Sequence, residues 1–171
     1  MNIGVMSDTH GNRTLMHDVA ERMEREFGAG LLFHLGDDYA DAEELRIYGH
    51  DVRMVPGLGC PEYQQSGGGA PKRLVEEVDG LTFALAHADQ DLTAREWACS
   101  VIMTGHTHVA VIEDLGMSIR LNPGHLKRPR DRGQDASFAT IVTSPEEVVC
   151  RIHEADGQLR QERRFPRERL A

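Results

Sequence analysis

The chain has 171 residues, the length of one ordinary domain, and we expect a single domain spanning residues 1–171. Hydrophobic residues make up 40% of the chain and charged residues 27%, which excludes a disordered or fibrous protein. The net charge of −9 would repel a long nucleic-acid backbone, so the composition favours a small substrate.

The cysteines and the apolar runs indicate the cellular compartment of the protein. Cys60, Cys99 and Cys150 are odd in number and widely spaced, which does not suggest a disulfide framework and favours a reducing compartment. The chain begins with a short apolar run that lacks a basic leader, and none of its runs approaches about 18 apolar residues. We therefore expect a cytoplasmic protein without a membrane segment.

The first half of the chain predicts strands that alternate with amphipathic helices. Apolar side chains recur at helical spacing from Thr14 to Phe27, and Gly28 supplies a stop. The β-α-β-α-β order is typical of a sheet with a parallel core. The predicted elements are a strand at 2–6, a helix at 14–27, a strand at 31–35, a helix at 41–48 and a strand at 51–55.

The second half predicts mainly strands, beginning with a hairpin. Asp79-Gly80 is a two-residue turn signal between the strands predicted at 73–78 and 81–87. Together the two halves predict an α/β fold, a two-sheet sandwich with flanking helices. A glycine-rich connection at 64–71 and an arginine-rich tail at 160–169 predict flexible or poorly ordered segments. The remaining predicted elements are a short helix near 93–99 and strands at 101–104, 110–114, 118–121, 138–143 and 147–153.

Several of the apolar runs end in residues that bind metals. Ligand sites of open α/β sheets lie beyond the carboxyl ends of the parallel strands, so these residues are predicted to converge. In an extended segment, residues two apart point the same way, which would bring paired side chains into one cavity. Carboxylates with imidazoles suit Mn²⁺, Zn²⁺, Fe²⁺, Co²⁺ or Ni²⁺ better than Mg²⁺. The six residues are Asp8, His10, Asp37, His87, His106 and His108.

Five motifs occur in a recognisable order along the chain to about residue 153. They are Asp8-x-His10-Gly11-Asn12, Gly36-Asp37, a lone His87 after an apolar strand, Gly105-His106-x-His108 and Asn122-Pro123-Gly124. In order and separation this set resembles the calcineurin-like metallophosphoesterases, and most of all their small bacterial and archaeal phosphodiesterase branch.

The resemblance implies a dinuclear site and an activity. One ion would be held by Asp8, His10, Asp37 and His108, and the second by Asp37, His87 and His106. Asp37, His10 and Asn12 would serve catalysis, with Asn12 near the phosphate. The implied reaction is hydrolysis of a small phosphate ester, most often a diester, by water whose pKa is lowered between two divalent ions, with Mn²⁺ favoured.

One ligand of the family pattern is missing. Relatives usually carry a Gly-Asn-(His or Cys)-Asp segment whose Asn binds the second ion, whereas residues 55–62 here contain no Asn and no His. We hypothesise that Cys60 replaces the Asn, since thiolate binds softer divalent ions, with Glu62 as the second candidate and a plain buried loop cysteine as the alternative. Without a His to protonate the leaving group, we predict a preference for acidic leaving groups. His125 is a further candidate for the phosphate contact or the missing proton.

Other interpretations remain open. The same fold resembles a subunit of the retromer coat, so a protein-binding scaffold with weak or no catalysis is the main alternative to an enzyme. The presence of all the histidines that the family uses as ligands favours the enzyme. A nuclease would need a basic groove with aromatic platforms, which 5% aromatic residues and a pI near 5.4 argue against. The basic run Lys127, Arg128, Arg130 and Arg132 would recruit an anionic substrate or form a solvated loop, and exposed edge strands allow a homodimer.

Overall fold

The computed structural model describes residues 1–65 and 69–170. Residues 66–68 of the predicted flexible connection at 64–71 lie outside the described residues. The α-helices are α1 (Arg13–Arg25), α2 (Tyr39–Ile47), α3 (Pro61–Gln64) and α4 (Ala94–Trp97). The strands are β1 (Asn2–Met6), β2 (Leu31–His34), β3 (Val52–Met54), β4 (Arg73–Val78), β5 (Leu81–Ala86), β6 (Val101–Met103), β7 (Val111–Asp114), β8 (Ile119–Asn122), β9 (Arg130–Asp131), β10 (Gln134–Asp135), β11 (Ser137–Thr143), β12 (Glu147–Glu154) and β13 (Leu159–Pro166).

Two main sheets confirm the predicted α/β sandwich. One sheet has the strand order β13-β12-β11-β1-β2-β3 and the other the order β4-β5-β6-β8-β7, while β9 and β10 form a separate two-stranded ladder. The predicted β-α-β-α-β unit is present, because β1, β2 and β3 pair in parallel. The predicted hairpin is also present, since β4 and β5 pair antiparallel around Asp79-Gly80. Short 3₁₀ turns at Asp89–Asp91 and Arg167–Arg169 complete the described elements.

The core lies between the two sheets. Apolar side chains from both sheets form one buried cluster, in which the rings of Phe33 and Phe83 lie 5.9 Å apart. A second cluster covers the opposite face of the first sheet, where α1 buries Met16, Val19 and Met23. Within residues 1–65 and 69–170, no helix is long and apolar enough to cross a membrane.

The prediction of a poorly ordered tail is wrong. Residues 159–166 form β13, which pairs antiparallel with β12 and buries Phe165 to 2% exposure. The arginines that suggested disorder are placed by ion pairs, such as Arg160 with Glu154 at 2.6 Å. The strand therefore buries one aromatic side chain among side chains that are mostly charged and exposed.

Candidate metal centre

The carboxyl ends of β1 and β2 deliver the two aspartates of the candidate site. Because these strands are parallel neighbours, the loops that follow them meet, and the amide N–H of Asp8 donates to the carbonyl of Gly36 at 2.6 Å. The hydroxyl of Ser7 also donates to Asp8 Oδ2 at 2.6 Å. Asp8 is fully buried and Asp37 is half-buried. The sheet thus presents two carboxylates side by side, as the position of strand ends predicted.

The backbone that carries the paired ligands is not extended, so that part of the prediction is wrong. Asp8 and His10 have φ values of 55° and 48°, and His106 and His108 both have φ of 63°. All four residues therefore lie in the left-handed region, which costs non-glycine residues of order 1–3 kcal/mol each and is concentrated at functional sites. Tight turns, not strands, aim these side chains inward.

A first group of donor atoms comes from Asp8, His10 and His108. Their ligand atoms all lie within 4.8 Å of one another. His108 Nε2 is 3.1 Å from Asp8 Oδ1 and 3.1 Å from His10 Nε2. These three residues come from loops 98 residues apart in the chain.

A second group consists of Asp8, Asp37 and His87, again with donor atoms within 4.8 Å. Asp37 faces both groups, because its Oδ2 is 2.8 Å from His10 Nε2 and its Oδ1 is 3.8 Å from His87 Nε2. The ring of His106 lies 5.2 Å from that of His87, and its amide donates to Asp8 Oδ2. All six predicted side chains therefore meet, although Asp8 and not Asp37 is the residue common to both compact groups.

Two buried atoms of this cluster lack a hydrogen-bond partner among the described residues. They are Asp8 Oδ1 and His87 Nε2. His87 Nδ1 lies 2.8 Å from the carbonyl of Leu35, so Nδ1 carries the proton and Nε2 presents a lone pair to the cluster. Unsatisfied buried acceptors are costly, and a divalent cation would satisfy both. The donor set therefore fits a metal ion.

The local electrostatics favour the ligating forms of Asp8 and His10. Burial raises the pKa of Asp8, but His108, Ser7 and His87 outweigh it and lower that pKa below its ordinary value. Burial lowers the pKa of His10, which favours the neutral imidazole that binds metals. Burial also opposes the charge on His108, yet Asp8 and a neighbouring carboxylate raise its pKa.

Gly105 allows the loop with His106 and His108 to reach Asp8. A Cβ atom at this position would lie 2.0 Å from Ser7 Oγ and 2.6 Å from Asp8 Oδ2. No side chain fits there. The glycine before the histidine pair is therefore a packing requirement of the site.

Two buried aspartates support the site and were not predicted. Asp41, on α2, accepts from Thr9 Oγ1 at 2.7 Å and from the amide of Gly11 at 2.9 Å, which fixes the turn around His10. Asp131, on β9, lies 2.6 Å from Nδ1 of His108. Each contacts a partner more than 20 residues away in the chain, so the sequence near Asp41 gives no signal, and the only signal for Asp131 is an acidic residue within a basic run.

The remaining candidates have defined positions but untested roles. The amide of Asn12 donates to the carbonyls of Leu126 and Lys127, so it ties two loops together, and its phosphate contact stays a prediction. His125 is fully buried, with its ring 5.3 Å from that of His108. His34 is also fully buried; its Nδ1 accepts from the amide of Gly36, and it lies outside the donor groups.

Cys60 lies beside the cluster without joining either donor group. Its thiol donates to the carbonyl of Asp37, and burial raises the pKa of the thiol. Cys60 and Glu62 line a cavity of about 410 Å³ that opens next to His10 and Asp37. Whether Cys60 or Glu62 is a ligand therefore stays a prediction.

A two-sheet sandwich that gathers two aspartates and four histidines at one edge defines a class of metal-dependent hydrolases. Residues 1–146 match the model of the calcineurin-like phosphoesterase superfamily domain. The chain belongs to this family, whose members are metal-dependent and hydrolyse small phosphate esters.

Individual relatives agree with the family assignment. The chain is 25% identical over 162 residues to the probable metallophosphoesterase YsnB of Bacillus subtilis, covering 92% of this chain and 93% of YsnB. A predicted phosphoesterase from Streptococcus pneumoniae has a similar structure, with 25% identity, a TM-score of 0.71 and 97% of each chain covered.

Two further structures share the fold at lower identity. Vacuolar protein sorting 29 from Cryptosporidium parvum has 19% identity and a TM-score of 0.73, covering 97% of this chain and 98% of that one. An archaeal phosphodiesterase has 18% identity and a TM-score of 0.64, covering 96% of this chain and all of that one.

Proposed function

We propose that this chain is a dinuclear metal-dependent phosphodiesterase that hydrolyses a small phosphate diester. The observation that carries the proposal is the position of Asp37, whose two carboxylate oxygens face His10 on one side and His87 on the other. A carboxylate in this position suits two ions spaced about 3.5–4 Å apart. Two buried atoms, Asp8 Oδ1 near His108 and His87 Nε2 near Asp37, lack a hydrogen-bond partner among the described residues, which also supports bound cations.

The proposal assigns each donor a role. Asp8, His10, Asp37 and His108 would hold one ion, and Asp37, His87 and His106 the other, with Cys60 or Glu62 as a further ligand. When bound, the two ions supply Lewis-acid stabilisation of the phosphate oxygens and lower the pKa of water. Mixed oxygen and nitrogen donors suit Mn²⁺, which we favour, and also Ni²⁺, Co²⁺, Fe²⁺ or Zn²⁺.

The chain's own residues orient the substrate and limit the leaving group. His10 is exposed and hydrogen-bonds Asp37 at 2.8 Å, so it stands where the cluster meets the cavity of about 410 Å³. Residues 59–62 line that cavity, and segment 55–62, to which they belong, contains no histidine to protonate a departing alkoxide. We therefore expect faster hydrolysis of diesters with acidic leaving groups, since general acid catalysis is worth about 10²–10⁴-fold.

The main alternative is a scaffold that binds protein partners. The likeness to vacuolar protein sorting 29 supports the fold alone, whereas the two groups of metal-binding side chains, Asp8 with His10 and His108 and Asp8 with Asp37 and His87, support an enzyme. The free, buried cysteines support a cytoplasmic location. A homodimer would use an edge strand such as β3 or β7.

Hydrolysis by metal-stripped protein tests the proposal. Bis-p-nitrophenyl phosphate and p-nitrophenyl phosphate are supplied with Mn²⁺, Ni²⁺, Co²⁺, Zn²⁺ or Mg²⁺ in turn. We expect metal-dependent turnover with a preference for the diester, and its loss in Asp37→Asn. The exposed Asp18 on α1 gives a matched control, Asp18→Asn, which should retain the activity. Bound metal without turnover of either ester would favour the scaffold.

A further inference from the structure

A buried carboxylate lies in the short β9-β10 ladder at the surface of the protein. Asp131 belongs to β9, which pairs with β10 through Asp131 and Gln134. It is only 5% exposed, although its neighbours in the chain are the exposed residues Arg130 and Arg132. A buried charge requires compensation by partners.

The partners of Asp131 point to the metal cluster. Its Oδ2 lies 2.6 Å from His108 Nδ1, and its Oδ1 accepts from the guanidinium of Arg128. Arg128 is exposed and binds the solvent side of the carboxylate, so Asp131 lies between a cation and a candidate metal ligand. The carboxylate therefore has one orientation toward His108.

This contact sets which nitrogen of His108 faces the cluster. With the proton on Nδ1 and donated to Asp131, Nε2 presents its lone pair toward Asp8 Oδ1 and His10 Nε2, each 3.1 Å away. A carboxylate on the outer nitrogen of a ligating histidine fixes the ring and increases its basicity.

The same ladder also holds the backbone of the ligand loop. Arg132, in the turn after β9, donates to the carbonyls of His106 and Thr107 at 3.1 and 3.2 Å. His106 and His108 both have left-handed backbone, a conformation that persists only where the surroundings hold it. Asp131 thus contacts the side chain of His108, while Arg132 contacts two backbone carbonyls of the same loop.

We propose that Asp131 is a positioning residue for His108 and that it sets the affinity of the ion held by Asp8, His10 and His108. The inference rests on the proposed metal site. It assigns Asp131 no contact with substrate. The second ion, which depends on His87 and His106, should be affected little.

Titration of the metal-stripped full-length chain with Mn²⁺ tests the inference, with free Mn²⁺ measured by electron paramagnetic resonance. We expect Asp131→Ala to weaken one of two binding events by about 10–100-fold and to leave the other unchanged. Asp131→Asn should weaken it less, because the amide oxygen still accepts from Nδ1. The matched control is Asp135→Ala on β10, an exposed carboxylate paired with Arg130.

A double-mutant cycle of Asp131 and His108 distinguishes the positioning of His108 by Asp131 from general destabilisation of the fold. In the His108→Ala background, Asp131→Ala should add no further loss of affinity, because its effect acts through His108. Thermal unfolding of the metal-free variants checks that they fold, and Asp131→Asn carries the test if Asp131→Ala does not. Unchanged Mn²⁺ affinity in Asp131→Ala, or an equal loss in Asp135→Ala, would overturn the inference.

The outcomes distinguish this inference from the proposed function. Wild-type protein that binds two Mn²⁺ ions but hydrolyses neither ester would contradict the phosphodiesterase, while the binding differences between variants would still support Asp131. Wild-type protein that binds no Mn²⁺ would overturn both.

Discussion

The two loops that carry Asp8 and the His106-His108 pair approach each other so closely at Gly105 that no Cβ atom fits between them. At Gly105 an added methyl group would meet Ser7 Oγ and Asp8 Oδ2 at well below contact distance, so the loop must withdraw or Asp8 must turn. We expect Gly105→Ala to lose metal affinity and to lower the melting temperature, since overpacking costs about 1–3 kcal/mol. Isothermal titration with Mn²⁺ and calorimetric unfolding measure both effects.

Gly30→Ala is the matched control for this substitution. Gly30 lies just before β2, outside the metal cluster, and a Cβ atom there meets no heavy atom within 4 Å. Its melting temperature and metal affinity should stay close to those of the wild type. Equal losses in both variants would show that the close approach at Gly105 has no special importance.

His34 gives the molecule a stability that depends on pH. Burial lowers the pKa of His34 from 6.5 to about 4, partly offset by Asp41 and Asp8. The unfolded chain therefore takes up this proton first, and the free energy of unfolding falls as pH drops below 6.5 and stops falling from this cause near pH 4.

Urea unfolding of the metal-free protein at pH 6.5 and pH 5 measures this effect. His34 should contribute a loss of about 1.5 kcal/mol over that interval. The free energy of unfolding of His34→Gln should fall correspondingly less over this interval. The pKa values of His125 and His153 are also lowered by burial, but these residues are present in both proteins and affect both alike. Equal losses for the two proteins would contradict the assignment.

The candidate ligands were predictable at the residue scale, but their supports were not. Asp8, Asp37 and His87 each follow an apolar run, which is a local signal. Asp41 and Asp131 are recognised only by their contacts. The partners of Asp41 lie 28 to 32 residues away in the chain, and Asp131 contacts His108, which lies 23 residues away. Sequence patterns within one element cannot show such partners.

At the scale of elements, β13 shows how charge can conceal a strand. Its side chains are mostly exposed, and Phe165 is its one buried position. Because only one apolar residue faces the core, the segment lacks the alternation that predicts a strand. The parallel unit β1-α1-β2 was predictable because its periodicity is local, whereas the pairing of β1 with β11 joins residues about 140 positions apart.

Truncating Phe165 tests whether β13 contributes to stability. Phe165→Ala should reduce the free energy of unfolding by about 3–5 kcal/mol, the usual range for a buried aromatic side chain. Leu159→Ala, on the same strand but 52% exposed, should change it by less than about 1 kcal/mol. Denaturant unfolding with similar losses for the two variants would indicate that the tail does not pack as described.

In the molecule as a whole, the two main sheets share one hydrophobic core. Residues such as Ile3 and Phe33 from one sheet and Phe83 and Val101 from the other belong to the same buried cluster. We therefore propose that residues 1–171 form one domain that unfolds in a single transition. Far-ultraviolet circular dichroism and the fluorescence of Trp97 should give the same midpoint, and separated midpoints would indicate two units.

We propose that Asp37 joins two metal ions. The most direct measurement is the electron paramagnetic resonance spectrum of the full-length protein loaded with Mn²⁺, together with its metal content. We expect two ions per chain with an exchange-coupled spectrum, which Asp37→Asn abolishes. One ion per chain, or two ions with uncoupled spectra in the wild type, would contradict it.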